Sequence, residues 1–187
     1  MHDSAQDDVT TMTFEAFADT ILPGEKRFPG DVTVAGVAVG GGAVASGAVA
    51  VLRTDEGGMA PALDNLAEAL NGHAGGYAAE RGLSLDPAVP PFVALSFADR
   101  TELVARLTAP THPERDIWVS VAMFSTIAFD AAAHLHTVDA LADGHPGMTT
   151  MGFKPPEADG LWRFPEFSYG RQLARPHPDT TPSGSPA

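Results

Sequence analysis

Cysteine is absent from this chain, and its absence excludes disulfides, thiolate metal sites, iron–sulfur ligation and a cysteine nucleophile. Positive charge is also scarce, because 11 Lys and Arg residues stand against 24 Asp and Glu residues and leave a formal net charge of −13. Nucleic-acid affinity rests largely on basic side chains that neutralise phosphates. A nucleic-acid partner is therefore not expected, and an anionic membrane surface is disfavoured for the same reason.

Motifs for nucleotide binding and nucleophilic catalysis are missing too. The run Gly40-Gly41-Gly42 has neither a preceding strand nor the G-x-G-x-x-G spacing of a dinucleotide loop, and the chain has no Gly-Lys-Ser or Gly-Lys-Thr for a phosphate loop. Close packing of helices is the favoured use of these glycines. No serine lies in a G-x-S-x-G turn. We therefore assign no catalytic residue and no metal ligand from motifs.

One uncharged run, residues 34–52, approaches the length of roughly 20 residues that a helix needs to span a bilayer. Much of it is Gly and Ala, which are only weakly apolar, and each Gly costs a helix about 1 kcal/mol relative to Ala. We interpret the run as a buried, tightly packed helix or helix pair and not as an integral membrane segment. The first twelve residues contain no Arg, no Lys and no apolar core of a signal peptide. A cytoplasmic location is expected, and export together with a partner stays open.

A length of 187 residues fits one domain of ordinary size. The apolar periodicity predicts an all-α fold, a compact bundle of about five helices followed by an irregular, aromatic-rich C-terminal segment. The predicted organisation is a flexible N-terminus at 1–12, a single helical domain at 13–175 that includes the C-terminal segment, and a disordered tail at 176–187. The helices are predicted near residues 13–22, 34–53, 61–77, 97–107 and 112–139.

Local signals support the ends of these helices. Phe14, Phe17, Ala18 and Ile21 form one apolar face of the first helix, and Pro23 stops that helix because proline disfavours helix at the residue before it. The pairs Ser96 with Asp99 and Thr111 with Glu114 are both spaced as capping boxes. The helix predicted at 112–139 carries apolar residues around most of its circumference, which predicts a central, buried position.

The most suggestive polar cluster lies near the end of that last helix. Asp130 and His134 are four residues apart and would share a helix face, as a ligand-binding or acid–base pair requires. His136 would point to roughly the opposite side. The structural alternative is a solvated or hydrogen-bonded histidine near a helix C-terminus, where the helix dipole favours it. If the cluster is functional, His134 is the residue expected to carry the function.

The C-terminal segment 153–169 concentrates aromatic side chains between prolines. One interpretation is that it wraps over the bundle as part of the core. The other is a partner surface, because aromatic residues, Met and Arg are enriched at interface cores. The predicted partner-binding residues are Trp162, Arg163, Phe164, Phe167, Tyr169 and Arg171.

Several runs occur in an order that resembles a known family. Near the N-terminus an apolar helix is followed by Ile21-Leu22-Pro23-Gly24-Glu25, Phe28-Pro29-Gly30-Asp31 and Ala35-Gly36-Val37. Downstream come Phe92-x-x-Leu95 with Arg100, Leu103 and Leu107, then a helix around Phe124 that leads to Gly147-Met148 and Gly152-Phe153. This order resembles the gluconate 2-dehydrogenase subunit 3 family.

The resemblance implies an accessory role. Members of that family are small, non-catalytic partners of flavin-dependent oxidoreductases of the glucose-methanol-choline class. This chain would then bind and stabilise or mature such a large subunit, would bind no cofactor itself, and would leave FAD to the partner. Many members carry a twin-arginine export signal, which the first twelve residues here do not resemble. The alternative hypothesis is a stand-alone helical enzyme or small-ligand-binding protein with a pocket near Asp130 and His134.

Overall fold

The structure, a computed structural model, describes residues 2–155 together with Ala158 and Asp179. These residues form an all-α fold without strands, which confirms the predicted fold class. Helices α1 to α8 within the described residues are His2–Ile21, Ala48–Leu52, Leu63–Arg81, Pro91–Ala94, Phe97–Leu107, Arg115–Ala131, Thr137–Ala142 and Pro146–Thr150. A 3-10 turn, Ala60–Ala62, leads into α3.

Helix α1 is longer than predicted. It ends at Ile21, as Pro23 predicts, but it begins at His2 instead of near residue 13. Thr10 is buried and donates a hydrogen bond of 2.5 Å to Asp64 Oδ1 of α3. The residues from His2 to Met12, predicted as a flexible N-terminus, are therefore helical.

The main core lies where α1, α3, α4, α5 and α6 meet. Phe14 and Phe17 of α1 are fully buried, as the apolar face of the first helix predicts. The Phe17 ring centroid lies 6.2 Å from those of both Phe92 and Trp118. Each large side chain buried here contributes about 1.5–3 kcal/mol to folding. This core fixes the C-terminal half of α1.

Helices α3 and α5 agree closely with the sequence prediction. Ser96 is the N-cap of α5, and its hydroxyl oxygen accepts a hydrogen bond of 3.2 Å from the Asp99 backbone N–H. Helix α3 continues to Arg81, although Gly72, Gly75 and Gly76 weaken its second half. Its packing against α1 compensates for these glycines.

The glycines of α3 provide a stability test. A Cβ added at Gly72 or Gly76 would have no neighbouring atom within 4 Å, so Ala fits there without strain. We expect Gly72→Ala and Gly76→Ala each to raise the free energy of unfolding by about 0.5–1 kcal/mol. Urea denaturation of the purified chain measures the change. The control is Gly147→Ala in α8, where the added Cβ would overlap Phe129 O of α6 and should lower stability. Equal effects at Gly72 and Gly147 would contradict the packing described here.

Helix α6 differs from the predicted helix at 112–139 in both ends and environment. It begins at Arg115 without the predicted Thr111 capping box, and the Glu114 N–H instead donates to His112 Nδ1 at 3.2 Å. It ends at Ala131, because Ala132 takes a left-handed conformation with φ 48°. Only one face is buried, and Met123 on the opposite face is 55% exposed. The prediction of a helix enclosed on most sides is therefore wrong.

The predicted helix at 34–53 is also wrong over most of its length. Only Ala48–Leu52 is helical, and residues 22–47 form an irregular excursion, hereafter the 22–47 loop. Glycines at 36, 40 and 47 take positive φ values of 70°, 83° and 84°, which a helix does not permit. Across the part of the chain that the structure describes, no helix is both long and apolar enough to span a membrane.

The chain divides into two compact units, residues 1–154 and residues 155–187. The first unit contains every helix described above. Of the second, the structure describes Pro155, Ala158 and Asp179. The predicted aromatic segment 153–169 therefore lies outside the described residues except for residues 153–155 and Ala158, and the predicted tail 176–187 does so except for Asp179.

Candidate functional site

The 22–47 loop is closed at its base by main-chain hydrogen bonds between its two limbs. Ala43 N donates to Leu22 O at 3.0 Å, and Glu25 N donates to Gly40 O at 2.8 Å. Gly24 and Gly42 face each other so closely that a Cβ on either would overlap the other limb's backbone. We call residues 22–25 and 40–43 the neck of the loop. Glycine here serves the close approach of two irregular limbs, not the helix packing predicted for Gly40-Gly41-Gly42.

Asp19 holds both limbs to the end of α1. Its side chain is fully buried. One carboxylate oxygen accepts a hydrogen bond of 3.2 Å from Gly24 N, and the other accepts one of 2.8 Å from Ala35 N. A buried carboxylate is tolerated only when hydrogen bonds replace its lost hydration. Asp19 therefore fixes the path of the loop at two points.

Arg100 of α5 supplies the positive charge beneath the loop. It is only 4% exposed, and it donates hydrogen bonds to Thr33 O at 2.8 Å and Leu95 O at 3.2 Å. Burial lowers the pKa of Arg100, and the nearby charge of Asp19 opposes that shift. The guanidinium thus binds loop backbone to α5 while it compensates the buried Asp19 carboxylate.

A second ionic cluster ties the loop to the outer face of α1. Arg27 donates to both carboxylate oxygens of Glu15, at 2.6 and 2.7 Å, and its Nε donates to Asp31 at 2.7 Å. Burial by itself would raise the pKa of Asp31, but hydrogen bonds from Arg27 and Thr33 hold it well below its usual range. The hydrogen bonds to Glu15 and Asp31 raise the pKa of Arg27. Arg27 and Asp31 therefore stay ionised at neutral pH, and the cluster ties this part of the loop to α1.

The loop displays large apolar side chains despite this internal polar network. Phe28 is 56% exposed and Val39 is 99% exposed, and Val32 and Val37 are each about half exposed. These four residues are the displayed apolar set of the loop.

Asp130 and His134, the predicted pair, do not share a helix face. Asp130 is half-buried in the last turn of α6, while His134 lies beyond the end of that helix. The left-handed backbone at Ala132 redirects the chain between them. Ala132 is fully buried and packs with Ala140 and Met148, so tertiary packing overrides the helical preference of alanine. The helical argument for an acid–base or ligand pair is therefore wrong.

His134 instead lies against the base of α2. Its ring contacts Gly47 so closely that a Cβ at Gly47 would overlap it. Its Nδ1 is buried without a hydrogen-bond partner among the described residues. The ring centroid of His145 lies 6.4 Å away. The His145 Nε2–H donates to Ser46 O at 3.1 Å, and its Nδ1 accepts from Met148 N, which fixes a neutral tautomer. The two histidines join the loop to α8.

The pH dependence of stability follows from this position. Burial lowers the pKa of His134 below its ordinary 6.5. The folded protein then binds this proton less readily than the unfolded chain. The free energy of unfolding should be fully retained above pH 6.5 and should decrease as the pH falls below it. One such proton contributes a slope of at most about 1.4 kcal/mol per pH unit.

Denaturant unfolding measured between about pH 7 and pH 5 tests this expectation. His134→Gln should reduce the slope of unfolding free energy against pH, while His136→Gln, at an exposed position, should leave the slope unchanged. Asp31 does not affect this pH range. Its pKa is lowered, so its contribution to the free energy of unfolding decreases only below pH 3.8. An unchanged slope in His134→Gln would contradict a lowered pKa of His134.

Tyr77 links α3 to α5. Its hydroxyl lies 3.1 Å from both Asp99 Oδ1 and Glu102 Oε2, and its ring lies between the guanidinium groups of Arg81 and Arg106. Burial and hydrogen bonds to the two carboxylates raise the pKa of Tyr77 to about 12. Tyr77 therefore stays protonated at neutral pH and acts as a structural contact.

An open groove of about 570 Å³ lies between α1, α3 and the proline-rich segment before α4. Asn71 lines it, but its amide already donates to Thr13 and accepts from Phe92 N. Within the described residues, no group of three or more His, Asp or Glu side chains is arranged to hold a metal ion. The predicted partner-binding residues, which are Trp162, Arg163, Phe164, Phe167, Tyr169 and Arg171, lie outside the described residues.

Comparison with known proteins identifies a family. A model of the DUF5987 family, described as a family of unknown function, matches residues 8–187. Because this match covers nearly the whole chain, the chain belongs to that family. No curated protein matches the chain, and no solved structure matches it.

Proposed function

We propose that this member of the DUF5987 family is an accessory subunit that binds, and stabilises or matures, a flavin-dependent oxidoreductase of the glucose-methanol-choline class. It contributes no catalytic residue of its own, and FAD resides in the partner. The sequence resemblance suggests the class of partner. The structure of the 22–47 loop supports a role in protein interaction.

One observation supports the interaction role: buried polar side chains bind the backbone of the loop, while its apolar residues are exposed to solvent. Asp19 and Arg100 are both buried to hold its backbone. Burying charged groups is costly even when they are hydrogen-bonded. Val39, by contrast, is almost completely exposed. Rigid loops on a helical scaffold commonly carry binding residues, because a preordered surface loses little conformational entropy on association.

Enzymatic function near Asp130 and His134 receives no comparable support. The two residues lie on different segments, and the His134 ring is packed against Gly47 and near His145. The 570 Å³ groove is lined by residues of α1, α3 and the segment before α4 instead.

Co-expression tests the proposed function. The tagged chain is produced with a candidate glucose-methanol-choline flavoprotein from the same genome, and the flavin content of the flavoprotein is measured with and without the chain. We expect the two proteins to co-purify and the flavin content or melting temperature of the flavoprotein to increase. Absence of both association and any change in flavin content would contradict the proposal.

A further inference from the structure

Two histidines attach the start of α8 to the 22–47 loop. His145 is the N-cap of α8, and its Nδ1 accepts a hydrogen bond of 3.3 Å from Met148 N. On the other side of the ring, Nε2–H donates to Ser46 O of the loop at 3.1 Å. The His145 side chain is buried, and a proton added to Nδ1 would remove the acceptor. This contact therefore requires the neutral ring.

His134 lies beside this contact. Its ring packs against Gly47, which has a positive φ of 84°, and its centroid lies 6.4 Å from that of His145. Its Nδ1 is buried without a hydrogen-bond partner among the described residues. The left-handed backbone of Ala132 directs the chain toward this position. A charged imidazole would need an acceptor or a counter-ion at that buried nitrogen, whereas a neutral ring is tolerated more readily.

Within the described residues, no carboxylate is placed to balance a proton on either ring. Residues 40–52, which include Gly47, contain no ionisable side chain. Asp130 near the end of α6 and Asp139 on α7 are neither hydrogen-bonded nor ion-paired to the two histidines. Burial lowers the pKa of His134. Protonation of both neighbouring rings would also add charge repulsion.

We propose that His134 and His145 form an acid-sensitive clasp, which holds the start of α8 against the end of the 22–47 loop at neutral pH and opens on protonation. A proton on His145 Nδ1 removes the acceptor of the Met148 amide. A proton on His134 places a positive charge against Gly47. The clasp is formed above pH 6.5, the ordinary pKa of His134, and opens increasingly as the pH falls below it.

Opening of the clasp should affect the neck of the loop and leave the helical core intact. Gly41 of the neck lies so close to α8 that an added Cβ would overlap the ring of Pro146. Gly147 lies equally close to Phe129 O of α6, and this contact does not involve either histidine. Acid should therefore loosen the neck on the side that faces α8, while α8 stays attached to α6.

Native-state hydrogen exchange of the full chain, followed by NMR at about pH 7.5 and pH 5.5, tests the clasp. After correction for intrinsic exchange rates, protection of the Met148 amide should fall by about tenfold at the lower pH, because opening lets a ring with the ordinary pKa of 6.5 take up a proton. The Phe17 amide in the core should be better protected than that of Met148 at both pH values. Low urea concentrations should accelerate exchange at Phe17 but not at Met148, because opening of the clasp exposes little surface.

Variants identify the rings responsible. His145→Gln keeps an acceptor for Met148 N and a donor for Ser46 O, but its amide does not titrate. Combined with His134→Gln, it should reduce the pH effect at Met148 to less than about twofold. His136→Gln changes an exposed histidine next to the clasp and should retain the change of about tenfold.

A measurement on the wild-type chain decides the matter even where the double variant does not fold. NMR of the imidazole nitrogens should show His145 in the Nε2–H tautomer at about pH 7.5. The inference is overturned if His145 carries its proton on Nδ1, or if protection of Met148 is the same at both pH values. It is also overturned if Met148 and Phe17 exchange through one common opening, or if the folded double variant keeps the wild-type pH effect. The test uses this chain alone, so its result is independent of the co-expression experiment.

Discussion

We expect replacement of Arg100 by methionine to lower the free energy of unfolding by about 3–5 kcal/mol. Methionine fills a similar volume, so the loss comes from interactions and not from a large cavity. The carbonyls of Thr33 and Leu95 lose their donor, and the fully buried Asp19 carboxylate loses the nearby positive charge. A buried charge left uncompensated is among the costliest single changes in a protein core.

Two further variants isolate the cause. Arg115→Met removes an exposed arginine that pairs with Asp116 on the surface and should cost less than about 1 kcal/mol. The double change Arg100→Met with Asp19→Asn removes both buried charges and should recover part of the stability lost in Arg100→Met. Denaturant unfolding measures all three proteins. Purely additive effects of the two changes would contradict electrostatic coupling between Asp19 and Arg100.

We expect Gly42→Ala to disrupt the neck of the loop and to lower the free energy of unfolding by about 3 kcal/mol, the upper end of overpacking effects. The added Cβ would overlap Leu22 O and Gly24 N, and these are backbone atoms that cannot rotate away. The limbs must separate, which breaks the hydrogen bond from Ala43 N to Leu22 O. We also expect Gly42→Ala to lose binding to the flavoprotein, because the displayed apolar set depends on the neck.

Gly30→Ala is the matched control in the same loop. A Cβ at Gly30 would have no atom within 4 Å, and Gly30 does not have a positive φ. Its stability and its binding should equal those of wild type within about 0.5 kcal/mol. If Gly42→Ala were as stable as Gly30→Ala, the close approach of the two limbs would not exist in the folded protein.

Local sequence signals predicted the parts of the fold that depend on neighbours in the chain. Pro23 ends α1, Ser96 caps α5, and Phe14 and Phe17 lie on the buried face of α1. Each of these outcomes depends on residues within about one or two helical turns. The all-α class follows from the same periodicity.

Long-range contacts account for what the sequence could not predict. The hydrogen bond that Asp19 accepts from Ala35 spans 16 positions, and that from Arg100 to Thr33 spans 67. No local pattern indicates either contact. The Gly- and Ala-rich run at 34–47 has the composition of a small-residue helix. In the structure its backbone is irregular and forms the second limb of the 22–47 loop. Asp19 could have indicated the loop, because it is a carboxylate beside the apolar face of α1 and shortly before a Pro-Gly turn.

The left-handed turn at Ala132 has no signal in the sequence. Alanine is the strongest helix former, and the run around it predicts continued helix. Packing of Ala132 with Ala140 and Met148 decides the conformation instead. This one residue separates Asp130 from His134 and moves His134 to Gly47.

Hydrogen exchange of the 22–47 loop, followed by mass spectrometry with and without the flavoprotein, tests the role of the loop most directly. In the free chain, the amides of Glu25, Ala35 and Ala43 should exchange slowly, because each is hydrogen-bonded within the fold. Peptides that contain Val37 and Val39 should exchange faster in the free chain and become protected when the flavoprotein binds. Rapid exchange throughout the loop in the free chain, or a complex in which protection appears only elsewhere, would contradict a preformed loop that docks the partner.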